Sequence, residues 1–218
     1  NTDLTENVGE LAASLKEKRY KAKLIRRRMI PKPGGKERPL GIPVISDKLV
    51  QTAAAKILSA IYEQDFLPSS HGYRRGKGPQ KAALKLSEQI HRGPYGWVFD
   101  ADIKGFFDNI DHDWMLRMLE HRIADRSFLG LIRKWLKAGI LEEDGKVNYP
   151  VTGTPQGGVI SAVLANIYLH YALDLWFEKA VKPRLKGKAF IMRFADDFVC
   201  CFQYYDDLRK FHNVIARR

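Results

Sequence analysis

Ala189-Phe190-Ile191-Met192-Arg193-Phe194-Ala195-Asp196-Asp197-Phe198-Val199-Cys200-Cys201-Phe202 consists of two short apolar runs with a sharp polar break between them. Runs of this length, rich in aromatic and β-branched residues, predict two strands joined as a hairpin, with Asp196 and Asp197 at its tip. Two adjacent carboxylates in so apolar a context repel each other and are costly to desolvate, and a bound divalent cation removes both costs. The plainer reading is an exposed turn, where aspartate is common.

Asp102 shifts that balance. It closes another strand-like run, Gly96-Trp97-Val98-Phe99-Asp100-Ala101-Asp102-Ile103, and is followed by Gly105, Phe106 and Phe107. If the two stretches pair in one sheet, carboxylates 94 positions apart meet at one edge. Hard oxygen donors with no nearby His or Cys favour Mg²⁺ or Mn²⁺ over zinc. Two such ions about 4 Å apart can clamp the attacking and leaving oxygens of a phosphoryl transfer.

Working outward, the chain intermixes helices and strands without βαβ regularity, which predicts an α+β fold. An amphipathic helix is expected around Val8 to Lys18, then a β-hairpin of Leu24–Ile30 and Pro39–Pro43 around the turn Pro31-Lys32-Pro33-Gly34-Gly35-Lys36. Helical periodicity runs from Asp47 to Tyr62, with Ser46 or Asp47 able to cap it. Further helices are expected over Gln80–His91, after Asp111 as cap, over Ser127–Ala138, and from Val159 onward, with Val147–Thr152 extended.

The balance of 37 Lys and Arg against 25 Asp and Glu leaves a net charge of +12. Eleven of the basic residues fall between Lys16 and Arg38, against only Glu17 and Glu37. Such a block attracts polyanions, and Leu24, Ile25 and Ile30 interleaved with it argue for an ordered segment. The two cysteines, Cys200 and Cys201, are adjacent in an apolar run and predict buried, reduced thiols in a cytoplasmic protein. The most apolar stretch, Val159 to Phe177, carries Asn166, His170 and Asp174 at four-residue spacing. That polar stripe predicts a helix of a soluble protein, packed on one side, and no membrane span.

At this point the motifs become recognisable. Phe194-Ala195-Asp196-Asp197 resembles the YADD box of reverse transcriptases, with Phe for Tyr. Asp102-Ile103-Lys104-Gly105-Phe106-Phe107-Asp108-Asn109-Ile110-Asp111-His112 resembles the first carboxylate motif of enzymes encoded by bacterial group II introns. Gly153-Thr154-Pro155-Gln156-Gly157-Gly158-Val159-Ile160-Ser161, running on to Leu164-Ala165-Asn166-Ile167-Tyr168-Leu169, resembles the block between them. Ile30-Pro31-Lys32 with Lys36-Glu37-Arg38-Pro39-Leu40-Gly41-Ile42-Pro43 is similar to the fingers hairpin, and His71-Gly72-Tyr73-Arg74 to the next block. The five blocks stand in the family's order over about residues 24 to 202.

The resemblance implies a right-hand polymerase fold, with a small antiparallel palm sheet backed by helices. Residues 1–95 would be mainly fingers and 96–218 mainly palm, with some fingers elements between 125 and 155, and the thumb and later domains missing. The activity implied is RNA-directed DNA polymerase, with two Mg²⁺ ions (Mn²⁺ substituting). Its partners would be an RNA template, a DNA primer, deoxynucleoside triphosphates and group II intron RNA, in a bacterial cytoplasm, with a homodimer as an open option.

By resemblance, Asp102 and Asp196 are the principal metal ligands, Asp197 an auxiliary carboxylate, and Ile103 a ligand through its carbonyl. Lys32 and Arg38, assisted by Arg26, contact the triphosphate, and Gln156 hydrogen-bonds near the nucleotide, with Gly157 and Gly158 letting backbone approach it. Phe107 matches the steric gate beneath the sugar, while Phe106 takes the core role, as neighbours in a strand point oppositely. Arg74 and Arg75 go to template phosphates, with a solvated loop as the alternative, and Asp108 and Asp111 to turn and cap. Two departures stand out: Ser161-Ala162-Val163 where the family commonly has Ser-Pro-Leu, and Phe194 for Tyr. The competing readings are a non-catalytic RNA-binding maturase scaffold, a retron, diversity-generating or CRISPR-associated reverse transcriptase, and an RNA-dependent RNA polymerase.

Overall fold

The structure is a computed structural model, and it describes residues 3–31, 34–35 and 37–217. Helix α1 (Leu4–Lys16) leads into a hairpin of β1 (Ile25–Pro31) and β2 (Glu37–Ile42), which pair antiparallel from Arg26↔Ile42 to Pro31↔Glu37. Next come α2 (Ile45–Tyr62), β3 (Ser70–His71), α3 (Pro79–Arg92), β4 (Trp97–Asp102), α4 (His112–Glu120) and α5 (Arg126–Leu136). Short strands β5 (Ile140–Leu141) and β6 (Val147–Asn148) precede α6 (Ser161–Leu169), and β7 (Ala189–Phe194), β8 (Asp197–Phe202) and α7 (Tyr205–Ile215) complete the fold.

The strands form two sheets, in the orders β2-β1-β5-β6 and β3-β7-β8-β4. The second is antiparallel except at its edge, where β3 runs parallel to β7 with Ser70 opposite Arg193 and His71 opposite Phe194. A two-residue strand from the segment expected in the fingers thus lies directly behind the Asp196–Asp197 turn.

Helices cover that sheet through one apolar cluster. Leu58 and Tyr62 of α2, Met115 and Leu119 of α4, Ile132 and Leu136 of α5, and Leu164 of α6 are all essentially inaccessible. Phe211 of α7 packs its ring 5.3 Å from Phe202 and 5.7 Å from Phe177. Asp111 caps α4 by accepting from Trp114 N at 2.8 Å, and Asp125 caps α5 by accepting from Ser127 N and Phe128 N, each satisfying donors that a helix start leaves free. Cys200 and Cys201 are buried and unbridged, and no helix among the described residues is long and apolar enough to cross a membrane.

Three local expectations need correction. Neither Ser46 nor Asp47 caps α2, whose N-cap is Val44. Asp47 is instead buried, accepting from Tyr20 Oη at 2.8 Å and Lys23 N at 2.9 Å, and so anchors the start of the basic segment to α2. Only Val147 and Asn148 of the stretch 147–152 form a strand, with Thr152 in a single bridge to Asp111.

The third concerns the helix from 161. It passes from α into π turns at His170–Asp174 and Phe177–Val181, and its polar stripe points inward: Asn166, His170 and Asp174 are 2%, 3% and 0% exposed. For Asn166 and Asp174 the reason is Arg193, a cation in β7 that is itself fully buried and must be neutralised there, while the His170 ring packs against Phe66 and Tyr171.

Candidate active site

The register of the second sheet brings the carboxylates together. Asp102, the last residue of β4, is the cross-strand partner of Asp197, the first of β8, and Asp197 also faces Phe194 across the hairpin. Residues directly opposite in an antiparallel pair hold their Cβ atoms about 4.5–5.5 Å apart. Asp196 is in the turn itself, half-buried, while Asp102 and Asp197 are exposed. Burial, then Asp102, Asp196 and Asp100 in that order, raise the Asp197 carboxyl above its ordinary pKa. Asp100 was missed in the sequence, although strand alternation puts it on the face of Asp102 two residues earlier.

Among the described residues, no three His, Cys, Asp or Glu side chains already form a cage for an ion. The donors at this sheet edge are nevertheless all hard oxygens that repel one another, a set that suits Mg²⁺ or Mn²⁺. The Ile103 carbonyl accepts from Phe106 N at 3.2 Å and retains its second lone pair.

Phe106 and Phe107 lie in a 3-10 turn (Phe106–Asp108), not in a strand, so the reason given above for their opposite roles does not hold. Phe106 is buried in the core, and Phe107 is partly exposed while packing against the same core cluster. That turn is fixed from across the chain. Thr154 N donates to Phe107 O at 2.7 Å, and a Cβ on Gly153 (φ +89) would lie 2.9 Å from that same oxygen.

The candidate nucleotide contacts also meet. Arg38 Nε donates to Gln156 Oε1 at 3.1 Å across 118 residues, and Gly41 N donates to Gln156 O at 2.6 Å. Gly157 (φ +103) faces Leu40 and Gly41, which a Cβ would meet at 2.5 and 2.9 Å, and a Cβ on Gly158 would lie 2.6 Å from Ser161 Oγ. Close packing of the 153–158 loop on β2 requires a glycine at 157, and packing against Ser161 at the start of α6 favours one at 158. Arg26 shares the face of Arg38 but stands four positions further along the ladder, about 13 Å away. Lys32 lies outside the described residues.

Arg74 must be reassigned. Its guanidinium grips Glu63 through Nε (2.9 Å) and Nη2 (2.8 Å), donates to Leu67 O and Ser70 O through Nη1, and covers the Phe66 ring. A side chain so occupied, and only 5% exposed, holds the loop in shape; Arg75, beside it, is exposed.

The loop bears on the Asp196–Asp197 turn. Ala195, held at φ +56, donates from N to His71 O at 3.2 Å, and a Cβ on Gly72 would lie 2.6 Å from Ala195 N. Behind both, Arg193 donates from Nε and Nη2 to the two Asp174 oxygens (2.8 and 2.7 Å). Its Nη1 reaches Asn166 Oδ1 (3.1 Å) and Ala195 O (2.8 Å), and its Nη2 reaches Ser70 Oγ (2.7 Å). Asn166 Nδ2 donates on to Gly72 O at 3.0 Å. This buried network ties the turn, the loop and the helix together.

Carboxylates at the end of a small, mainly antiparallel sheet, with a basic hairpin bonded to the Gln156 loop, mark a reverse-transcriptase type of fold. Telomerase from Candida albicans, solved in complex with a TWJ fragment of telomeric RNA, superposes at a TM-score of 0.63 with 14% identity, covering 92% of this chain and 41% of that one. The chain belongs to the reverse transcriptase (RNA-dependent DNA polymerase) family, whose sequence pattern matches residues 30–218. It is 43% identical over 168 residues to the group II intron-encoded protein LtrA of Lactococcus lactis subsp. cremoris, covering 76% of this chain and 27% of that protein. It is 40% identical over 171 residues to an uncharacterized 91 kDa protein in the cob intron of Schizosaccharomyces pombe, covering 78% of this chain and 21% of that protein. The chain thus spans about a quarter of the length of these relatives.

Proposed function

We propose that this chain supplies the fingers and palm of an RNA-directed DNA polymerase encoded by a group II intron, extending a DNA primer along an RNA template. The observation that carries the reading is the cross-strand pairing of Asp102 with Asp197, with Asp196 in the adjoining turn. Asp102 and Asp196 would hold two Mg²⁺ ions, with Asp197 supporting them and the Ile103 carbonyl adding a backbone oxygen. When bound, the ions promote ionisation of the primer 3′-hydroxyl and neutralise the triphosphate. Arg38, held by Gln156, offsets charge on the leaving pyrophosphate, with Lys32 and Arg26 assisting. Phe107 blocks a 2′-hydroxyl, and Arg75 touches the template backbone. Residues 1–95 serve mainly as fingers and 96–218 mainly as palm, with β5 and β6 extending the fingers sheet.

Primer extension on an RNA template with Mg²⁺ tests the reading. Asp196→Asn should abolish extension and leave circular dichroism and RNA binding unchanged. Equal extension by Asp196→Asn and the wild type would remove the mechanism. Intron-RNA binding without extension in either would favour the maturase scaffold, whose role the Lys16–Arg38 segment also suits.

A further inference from the structure

Among the described residues, three non-glycines have positive φ: Lys18 (60°), Tyr73 (53°) and Ala195 (56°). Lys18 follows the end of α1, an ordinary place for a left-handed residue. The other two belong to the pair of loops that press together at the carboxylates. Tyrosine is among the residues least suited to this conformation, and strain of this kind persists where the surroundings impose it, commonly at functional sites.

The surroundings here do impose it. Gly72 (φ +80) precedes Tyr73, is jammed against Ala195 N, and has its carbonyl held by Asn166. Arg74 follows, locked onto Glu63 and two carbonyls. Between His71 (3% exposed) and Arg74 (9%), the Tyr73 side chain alone is turned outward, at 57% exposure. Because Gly72 is pressed against Ala195, the residue before Asp196, and His71 O accepts from Ala195 N, Tyr73 projects into solvent beside the carboxylate turn.

A core role does not account for a tyrosine so placed, because more than half of it is in solvent. What it offers to solvent is an O–H donor on a backbone fixed beside the carboxylate turn. We propose that the Tyr73 hydroxyl donates a hydrogen bond to a polyphosphate oxygen of the incoming nucleoside triphosphate, making Tyr73 a substrate-binding residue of this site. The inference rests on the polymerase reading above and adds to it a triphosphate contact from the loop behind the turn. A neutral donor suits that position: it binds phosphate without adding a second cation to compete with the metals for the carboxylates.

The test compares the wild-type protein with Tyr73→Phe and Tyr73→Gly in primer extension, using one deoxynucleoside triphosphate as substrate and inorganic pyrophosphate as inhibitor. Tyr73→Phe keeps the ring and loses only the donor, so the KM for the triphosphate should rise about ten-fold or more. The pyrophosphate concentration for half-inhibition should rise in parallel, with primer–template affinity unchanged. Tyr73→Gly should match or exceed that loss while raising Tm by about 2–4 °C, since glycine accepts the backbone without strain. A merely structural tyrosine would lose stability on the same change. Unchanged KM and pyrophosphate inhibition in Tyr73→Phe would overturn the proposal. So would a weakened primer–template affinity in Tyr73→Gly with Tyr73→Phe unaffected, the mark of a ring stacked on a base. A wild-type protein without extension would instead sink the polymerase reading, and this inference with it.

Discussion

Replacing Arg193 with Met is expected to destabilise the protein more than any exposed substitution, through the charge it leaves behind. Arg193 and Asp174 are each 0% exposed and share two hydrogen bonds, at 2.8 and 2.7 Å. Methionine fills much of the arginine stem's volume but strands the Asp174 carboxylate in the core. Removing one partner of a buried ion pair costs about 3–5 kcal/mol. For a chain of 218 residues that lowers Tm by roughly 6–20 °C, at about 2–4 °C per kcal/mol. The double variant Arg193→Met with Asp174→Leu removes the stranded charge too. What remains is the unpaired Asn166 Oδ1, Ser70 Oγ and Ala195 O, each costing about 1 kcal/mol. The double variant should therefore be more stable than Arg193→Met alone, which is strong non-additivity between contacting residues. Urea unfolding followed by tryptophan fluorescence measures all three. A loss below about 1 kcal/mol for Arg193→Met, or a double variant equal to the sum of the singles, would refute the neutralisation argument.

Asp197→Asn should stabilise the metal-free protein, because it removes a carboxylate facing Asp102 and close to Asp196 and Asp100. Opposed like charges cost about 0.2–1 kcal/mol, so Tm at pH 7 in chelator should rise by roughly 0.4–4 °C. The folded-state pKa is raised, so the wild-type penalty is full above it and fades as pH falls toward 3.8; a gain that persists at pH 3 would contradict this origin. Gly72→Ala should lower Tm and the apparent Mg²⁺ affinity together, since the added Cβ meets Ala195 N at 2.6 Å and the residue sits at φ +80; a thermal scan with and without Mg²⁺ reads both. Phe107→Ala should raise ribonucleotide incorporation on the order of ten- to a hundred-fold and reduce deoxynucleotide use only modestly, in single-nucleotide extension assays. An unchanged preference would make Phe107 a packing residue.

The features readable from the sequence were those whose signal is local or periodic. The hairpin around Asp196–Asp197 showed as two apolar runs with a break, and Asp102 as the polar end of a third. Sheet formation then had few ways to arrange them other than side by side. The hairpin of β1 and β2 was marked by its prolines and glycines, and the cap Asp111 obeys a rule spanning only three residues. Arg38 and Gln156 were each picked out by the resemblance; their bond across 118 residues was not.

What stayed hidden was where buried charge goes. Asn166, His170 and Asp174 have a spacing that fits a solvated stripe as well as a buried one, and only the position of Arg193 decides between them. In sequence, Arg193 is one polar residue within an apolar strand; in the fold, its five hydrogen bonds reach a helix 19 to 27 residues earlier, β3 123 residues earlier, and the turn two residues later. Arg74 went astray in the same way: a run of two arginines in a glycine-rich loop suggests phosphate, but Glu63, eleven residues before it, claims the first of them. In both cases the deciding partner is an anion or carbonyl that composition and periodicity do not pair with the cation. The strained backbone at Ala195 is the functional counterpart of that rule. A left-handed residue beside two carboxylates survives because a fully neutralised guanidinium holds its carbonyl at 2.8 Å, so the buried network that sequence reading could not see is what lets the legible Asp196–Asp197 turn keep its shape.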